Sequence, residues 1–271
     1  MSQKPLEGKV IIVTGATGAF GYAFNNALAA AGATVVILGR NEEVAKQRAE
    51  EITAEGGSAM AFSADVLKED QLTVVRDSVI KQFGKIDGLV NAAGGNMPEA
   101  VVKPEGDVFD LNLNGLRSVM ELNLFGTLLP TQIFGKAITH TSGKGSIVNI
   151  SSVSAHAALT KVLGYSLAKS AIESYTKWFS VELANRYGDT IRMNAIVPGF
   201  FITEQNRSLL TQPDGTLTAR GSLVVNKTPF KRFGKPEELT GALVWLLSDA
   251  SSFVNGSSII VDGGFLAFSG V

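Results

Sequence analysis

Lys9-Val10-Ile11-Ile12-Val13-Thr14-Gly15-Ala16-Thr17-Gly18-Ala19-Phe20-Gly21 is the stretch whose reading decides the fold. Its first half is an apolar run of strand length, its second a glycine-punctuated turn, and the residues from Ala19 to Ala31 predict a helix. A strand that is apolar at consecutive positions must be covered on both faces, the hallmark of a parallel sheet flanked by helices. Glycines at the turn let the backbone bend sharply and approach a pyrophosphate, whose charge meets the helix N-terminus. On spacing alone, the turn is equally a plain strand-to-helix connection.

Working outward, the same alternation recurs along the chain. Strands are predicted at Lys9–Thr14, Thr34–Leu38, Ala59–Ser63, Gly88–Asn91, Ser146–Ile150, Ile191–Val197 and Ser258–Val261. Helices are predicted at Ala19–Ala31, Glu42–Glu55, Glu69–Phe83, Leu116–Ile138, Tyr165–Arg186 and Pro236–Leu247. Repeated strand–helix units imply an α/β fold, a single Rossmann-type doubly wound domain over residues 1–271 with a seven-stranded parallel sheet and helices on both faces. No linker, repeat or low-complexity tract divides it. The stretch from Phe200 to about Phe233 lacks clear periodicity, and such a length in a compact domain reads as a substrate lid or binding loop.

Composition narrows the chemistry. The 271 residues are 45% hydrophobic, enough for a large core, and carry 24 basic against 25 acidic side chains, net charge −1. That balance gives no footprint for nucleic acid or an anionic membrane, so small-molecule partners are expected. No cysteine is present and only two histidines are, which argues against disulfides, a thiolate metal site, a cysteine nucleophile or a zinc centre. The opening Met1-Ser2-Gln3-Lys4-Pro5-Leu6-Glu7-Gly8 has no apolar core and no run approaches membrane-spanning length, so a cytoplasmic location is expected.

Two local patterns point to a nucleotide and a proton. After the second strand comes Leu38-Gly39-Arg40-Asn41, where a ribose-binding acid would sit, and there is none. Arg40 suits a 2′-phosphate, which leans towards NADP, or is an exposed loop arginine. Asp65-Val66 follows the third strand and is placed to meet an adenine edge or, equally, to open the next helix as an N-cap. Downstream, Tyr165-Ser-Leu-Ala-Lys169 puts a phenol and an ammonium four apart on a helix, hence on one face, with Ser152 thirteen positions upstream of the tyrosine. A phenol with an ordinary pKa of about 10 needs a neighbouring cation before it can exchange protons near neutral pH.

Together, Thr14-Gly-x-x-x-x-x-Gly21, Asn91-Ala-Ala-Gly94, Asn123, Ser152, Tyr165-x-x-x-Lys169 and Pro198-Gly199 resemble the short-chain dehydrogenase/reductases in order and spacing, over nearly the whole chain. One departure is Ala19, which stands where the family has the middle glycine of its first loop. The resemblance implies an NAD(P)-dependent oxidoreductase interconverting a secondary alcohol and a ketone, with Tyr165 as general acid or base. It further implies that Lys169 lowers the tyrosine's pKa and holds the nicotinamide ribose, that Ser152 bonds the substrate oxygen, and that Asn123 anchors a relay water. Asn112 and Asn114 are rivals for the last role.

By the same carry-over the cofactor contacts would be Gly15, Thr17, Gly18, Ala19, Phe20, Gly21, Arg40, Asn41, Asp65, Val66, Asn91, Ala92, Ala93, Gly94, Tyr165, Lys169, Pro198, Gly199 and Thr203. The sequence around Asn96-Met-Pro98, Leu122–Gln132, Pro198–Arg207 and Val261–Val271 is similar to the D-mannonate oxidoreductase (fructuronate reductase) subgroup, which implies a sugar-acid substrate and leans towards NAD. Substrate candidates are Asn96, His156, Gln205 and Arg207, with Lys161 beside them; His156 is equally a structural histidine. A gluconate or ketogluconate dehydrogenase, a 3-oxoacyl thioester reductase and a non-catalytic nucleotide-sensing protein remain alternatives. Family members are usually tetramers, so a homo-oligomer is expected.

Overall fold

The computed structural model describes residues 4–103, 106–203 and 206–270. In chain order, β1 (Val10–Thr14) leads to α1 (Gly21–Ala30), β2 (Thr34–Gly39) to α2 (Glu42–Ala54), and β3 (Ser58–Ser63) to α3 (Glu69–Phe83). β4 (Gly88–Asn91) is followed by α4 (Leu113–Met120) and α5 (Gly126–Thr141), β5 (Gly145–Ile150) by α6 (Leu163–Tyr187). β6 (Ile191–Pro198) precedes α7 (Arg207–Leu210), α8 (Ala219–Lys227) and α9 (Thr240–Leu247), and β7 (Ser258–Val261) closes the sheet. The seven strands lie in the order β3-β2-β1-β4-β5-β6-β7, every pair parallel.

The sheet is doubly wound because its strands have two apolar faces. In β1, Ile11 and Val13 enter a core with Phe24 and Leu28 of α1, Ala45 and Ile52 of α2 and Leu243 of α9. Their neighbours Val10 and Ile12 point the other way, onto Val75 and Val79 of α3, Phe134 and Ile138 of α5 and Leu183 of α6. The period-2 alternation of a strand thus feeds two separate cores. At the edge, Arg192 is buried and its guanidinium donates to the carbonyls of Leu246 and Ser248, each at 3.0 Å, which satisfies the end of α9.

Three expectations need correcting. The helix read over Leu116–Ile138 starts earlier, at the Asn112 cap whose side chain accepts from Gly115 N–H, and is interrupted by a π-helical turn at Glu121–Phe125. The helix read over Pro236–Leu247 begins as a 3₁₀ turn, Pro236–Leu239, because the proline fits a first turn but supplies no donor. The stretch read as aperiodic contains α7 and α8, the latter capped by Thr218, which accepts from Gly221 N–H at 3.0 Å. No helix among the described residues is long and apolar enough to cross a membrane.

Candidate active site

The first corner of the site is the β1–α1 turn. Thr14 ends β1, and its hydroxyl oxygen accepts from the N–H groups of Ala92 (3.2 Å) and Ala93 (3.3 Å), tying the carboxyl ends of β1 and β4 together. That closeness is why Gly15 must be glycine: it sits at φ +64°, and a Cβ there would lie 2.6 Å from Ala93 N and 2.7 Å from the Ala92 carbonyl carbon. A Cβ on Gly21 would overlap the Ala16 carbonyl oxygen, and one on Gly39 would overlap the Thr17 hydroxyl. The result is a cradle floored by backbone.

α1 begins there with no side-chain cap and no acidic residue in its first turn, whereas α2 is capped by Asn41 and opens with Glu42 and Glu43. Uncapped N–H groups at a glycine cradle fit a dinucleotide pyrophosphate in both shape and charge. Thr17, Gly18, Ala19 and Phe20 form the rim, and the methyl of Ala19 does not disturb the turn, since Gly21 N–H still reaches Gly18 O at 3.1 Å. The Phe20 ring meets Phe201 edge-on, centroids 5.7 Å apart at 84°.

The adenosine-side candidates have mixed placements. Arg40 is exposed at the end of β2, and its carbonyl accepts from the Ser63 hydroxyl. Asn41 spends its side-chain oxygen on Val44 N–H, 3.1 Å, as the cap of α2. Asp65 is not the N-cap of α3, which is Lys68; its carboxylate accepts from Leu67 N–H at 3.0 Å in a local turn. Val66 is buried against the start of α5. Asn91 is buried too, donating to Thr131 and Asn149 at 2.9 Å each, so its carboxamide braces the interior. Ala92, Ala93 and Gly94 continue from it at the surface of the cleft.

The second corner gathers Asn123, Ser152, Tyr165 and Lys169. Asn123 lies in the π-helical turn, fully buried, donating to Gly95 O (2.7 Å) and Val119 O (2.8 Å) and accepting from Gly95 N–H (3.0 Å). A Cβ on Gly94 would sit 2.6 Å from its Oδ1 and 3.5 Å from Lys169 Nζ, so glycine is required for that approach. Its rivals are settled elsewhere: Asn112 caps α4, and Asn114 accepts from Arg117 at 2.9 Å. π-turns of this kind concentrate at functional positions, here at the residue that faces the lysine across Gly94.

Ser152 caps a short 3₁₀ turn after β5, accepting from Ser154 N–H at 3.2 Å, and its hydroxyl is near enough to Tyr165 to lower the phenol's pKa. Burial pushes the Tyr165 phenol up to about 12, the serine contact offsetting part of the rise. Lys169 is buried, its Nζ donating to Ile150 O at 2.7 Å and lying 5.4 Å from the centre of the tyrosine ring; burial lowers it to about 8. In the protein alone, desolvation thus acts on both groups against their charged forms. The four side chains still form one cluster in which a carbonyl oxygen can take a proton from Tyr165.

The third wall is the segment after β6. Gly199 N–H continues the ladder to Val261 O at 2.9 Å, and a Cβ there would lie 2.7 Å from Asp262 Cα, so Pro198-Gly199 is pressed against the end of β7. Asn206 clasps the chain just beyond it: its carboxamide accepts from Thr203 N–H and donates to Phe201 O, both 2.8 Å. Arg207 is exposed at the start of α7, and Gln205 lies outside the described residues. Asn96 is half-buried with its side-chain oxygen enclosed and unpartnered. His156 turns its Nε2 to Glu173, 2.9 Å, the structural option of its two readings. Lys161 is exposed at φ +76°.

Two residues at the site escaped sequence reading. Arg48 of α2 reaches the cradle and donates to the carbonyls of Ala16 and Gly18. Glu173 is buried beside Ser151, His156 and Ser258. The signal for the second was available, since Tyr165, Lys169 and Glu173 are spaced at four on one helix face. For Arg48 nothing in the local sequence distinguishes it from a solvated helix arginine.

A family model described as enoyl-(acyl carrier protein) reductase matches residues 15–266. An uncharacterized oxidoreductase of Bacillus subtilis (strain 168), UxuB, is 42% identical over 275 residues, covering 98% of each chain. A Haemophilus influenza crystal structure with bound NAD, described as a candidate D-mannonate oxidoreductase, superposes with TM-score 0.90 at 41% identity over 98% of each chain. A gluconate 5-dehydrogenase of Burkholderia cenocepacia J2315, solved with NADP and tartrate, gives 0.85 at 33% identity, again over 98% of each. With its doubly wound sheet, glycine cradle and likeness over almost its whole length, the chain belongs to the short-chain dehydrogenase/reductase family, as an NAD(P)-dependent oxidoreductase acting on alcohol groups.

Proposed function

We propose that this enzyme interconverts D-fructuronate and D-mannonate, with Tyr165 as the proton donor to the ketone and Ser152, Lys169 and Asn123 around it. The reduced nicotinamide supplies the hydride. In the reductive direction the Tyr165 O–H protonates the carbonyl oxygen as that hydride reaches the carbon, leaving a phenolate; oxidation runs the same transfer backwards. Ser152, beside Tyr165, shares the substrate oxygen, and Lys169, its Nζ 5.4 Å from the centre of the tyrosine ring, stabilises the phenolate. Gly15–Gly21, Arg40 and Asn91–Gly94 border the cofactor, with Pro198, Gly199 and Thr203 along its nicotinamide end.

The observation that carries the reaction is the Ser152–Tyr165–Lys169 cluster in one cleft. For the substrate, it is the enclosed, unpartnered Oδ1 of Asn96, two residues past Gly94, which needs a donor such as a sugar hydroxyl. Arg207, exposed at the start of α7, would fork to a carboxylate. A second reading, oxidation of gluconate, is favoured by the likeness to a gluconate 5-dehydrogenase. Steady-state assays of D-mannonate, D-gluconate and their keto acids, each with NAD and NADP, separate them. A kcat/KM for D-mannonate at least tenfold above that for D-gluconate supports the first; the reverse ranking supports the second, and turnover confined to ketones without a carboxylate removes both.

The enzyme is further proposed to be a homotetramer. Leu167, Trp178 and Val181 stand exposed along α6, and Trp245, Phe253 and Ile260 around the β7 edge, two apolar faces of the kind that oligomers cover. Sedimentation showing only monomer at micromolar concentration would remove this assignment.

A further inference from the structure

We infer that Glu173, together with His156, is a positioning pair that fixes Ser152 for proton transfer. The inference rests on the reading of Ser152 and Tyr165 as the reacting pair. Between β5 and α6 the chain has no regular element except one 3₁₀ turn, Val153–Ala155, and Ser152 sits at the head of that turn. A loop of this length holds a hydroxyl in a useful direction only if its ends are anchored.

The anchor is a buried carboxylate. Oε1 of Glu173 accepts from the Ser151 hydroxyl at 2.7 Å and pairs with His156 Nε2 at 2.9 Å, so one oxygen clamps both ends of the segment that contains Ser152. Oε2 accepts from the Ser258 hydroxyl of β7 at 3.0 Å. The carboxylate thus joins α6, the serine turn and the sheet edge at a single point. Glu173 is only 5% exposed, and no lysine or arginine ion pair to it is found among the described residues. Its three donors take the place of a cation, and the buried Ser151 hydroxyl loses its carboxylate acceptor if the side chain is removed.

Position on the helix separates this role from chemistry. Glu173 follows Lys169 by one turn and Tyr165 by two, roughly 12 Å along the axis at about 1.5 Å per residue, so it does not touch the reacting atoms. It acts through the turn. Displacing a reacting group by about 1 Å costs as much as about 100-fold in rate, and Ser152 is tied to the clamp by its immediate neighbour Ser151. His156 completes the clamp from the exposed side, its side chain 35% accessible, which makes it the safer residue to alter.

The test compares Glu173→Ala, Glu173→Gln, His156→Phe and His156→Gln with wild type and with Ser152→Ala, measuring kcat for the best hexonate, Kd for NADH by fluorescence, and melting temperature. Glu173→Ala and His156→Phe are expected to lower kcat at least fivefold with Kd for NADH changed less than twofold. Glu173→Gln, which keeps an acceptor, and His156→Gln, which keeps a donor, should recover half or more of that loss. Unchanged kcat in folded Glu173→Ala and His156→Phe overturns the inference, as does loss in step with NADH affinity or melting temperature and without rescue. If Glu173→Ala does not fold, the two His156 variants decide alone. A wild-type enzyme indifferent to Ser152→Ala refutes the underlying reading instead.

Discussion

Lys169 Nζ donates to the Ile150 carbonyl at 2.7 Å, and the same nitrogen lies 5.4 Å from the centre of the Tyr165 ring. The lysine is thus held by the last residue of β5 rather than by the phenol. The Ile150 carbonyl fixes the ammonium, and the four-residue helical offset brings the ring beside it. Burial then acts on both groups in the direction that opposes charge, lowering the lysine to about 8 and raising the tyrosine to about 12.

That arrangement costs stability in a pH-dependent way. Lys169 has a folded-state value below its usual 10.5, so between pH 8 and 10.5 the folded protein binds fewer protons than the unfolded chain, and stability rises with pH across that window. Below pH 8 the full penalty applies, up to about 3 kcal/mol at about 1.36 kcal/mol per pK unit. Lys169→Met is therefore expected to be inactive yet more stable than wild type at pH 7, with the advantage shrinking towards pH 10.5. Chemical denaturation of the cofactor-free proteins at pH 7 and 10 measures it; equal stabilities at pH 7 would show that the ammonium is not buried at a cost.

Tyr165→Phe keeps the ring and its packing while removing the transferable proton. Turnover should fall by about 100-fold to 10,000-fold, the usual range for a general acid, while NADH affinity stays within twofold. In wild type the raised phenol stays protonated across the neutral and mildly alkaline range, so ketone reduction should not lose rate through this group there. Alcohol oxidation, which needs the phenolate, should speed up as pH rises. Rate profiles in both directions over pH 6 to 10 check the sign, and undiminished turnover in the variant would remove the assignment of Tyr165.

The sheet was legible because short apolar runs, from Leu89-Val90 in β4 to Val10–Val13 in β1, recur between longer amphipathic stretches, and the proton pair because a helical offset of four is visible in sequence. Other features were not, for reasons that can be named. The π-helical turn at Glu121–Phe125 has no glycine or proline inside it; it coincides with the Asn123 side chain bonding to Gly95 and Val119, contacts set by the fold. Pro130, the one proline in this stretch, lies inside α5 beyond the break. α7 and α8 are four and nine residues long, too short to reveal a period. The bracing role of the Asn91 carboxamide was also hidden, because the partners it donates to, Thr131 and Asn149, lie 40 and 58 residues away.

Cofactor choice turns on Arg40. The end of β2 carries no carboxylate to repel a 2′-phosphate, and Arg40 is exposed there, while the neighbouring Asn41 is committed to capping α2. Arg40→Asp should weaken NADPH binding at least tenfold by replacing a fork donor with a like charge. NADH binding should hold or improve, because a carboxylate suits ribose hydroxyls. Parallel titrations of both nucleotides into both proteins decide; equal effects on the two would detach Arg40 from the ribose.

The cradle makes a prediction that separates crowding from backbone strain. Gly15 and Gly143 share nearly the same backbone, φ +64° and +70°, but an added Cβ at Gly143 meets nothing within 4 Å, whereas at Gly15 it lands 2.6 Å from Ala93 N. Alanine at either site bears the left-handed penalty, about 1–2 kcal/mol. Only Gly15→Ala must also push β1 away from the β4 strand end, where the Thr14 hydroxyl holds Ala92 and Ala93 at 3.2 and 3.3 Å. Gly143→Ala should therefore lose stability by about that amount and bind NADH normally, while Gly15→Ala loses more and binds NADH at least tenfold more weakly. Urea unfolding and NADH titration of the two variants give both numbers. Equal stability losses with intact NADH binding in Gly15→Ala would mean that the turn relaxes freely, and that the contact between the ends of β1 and β4 does not shape the nucleotide site.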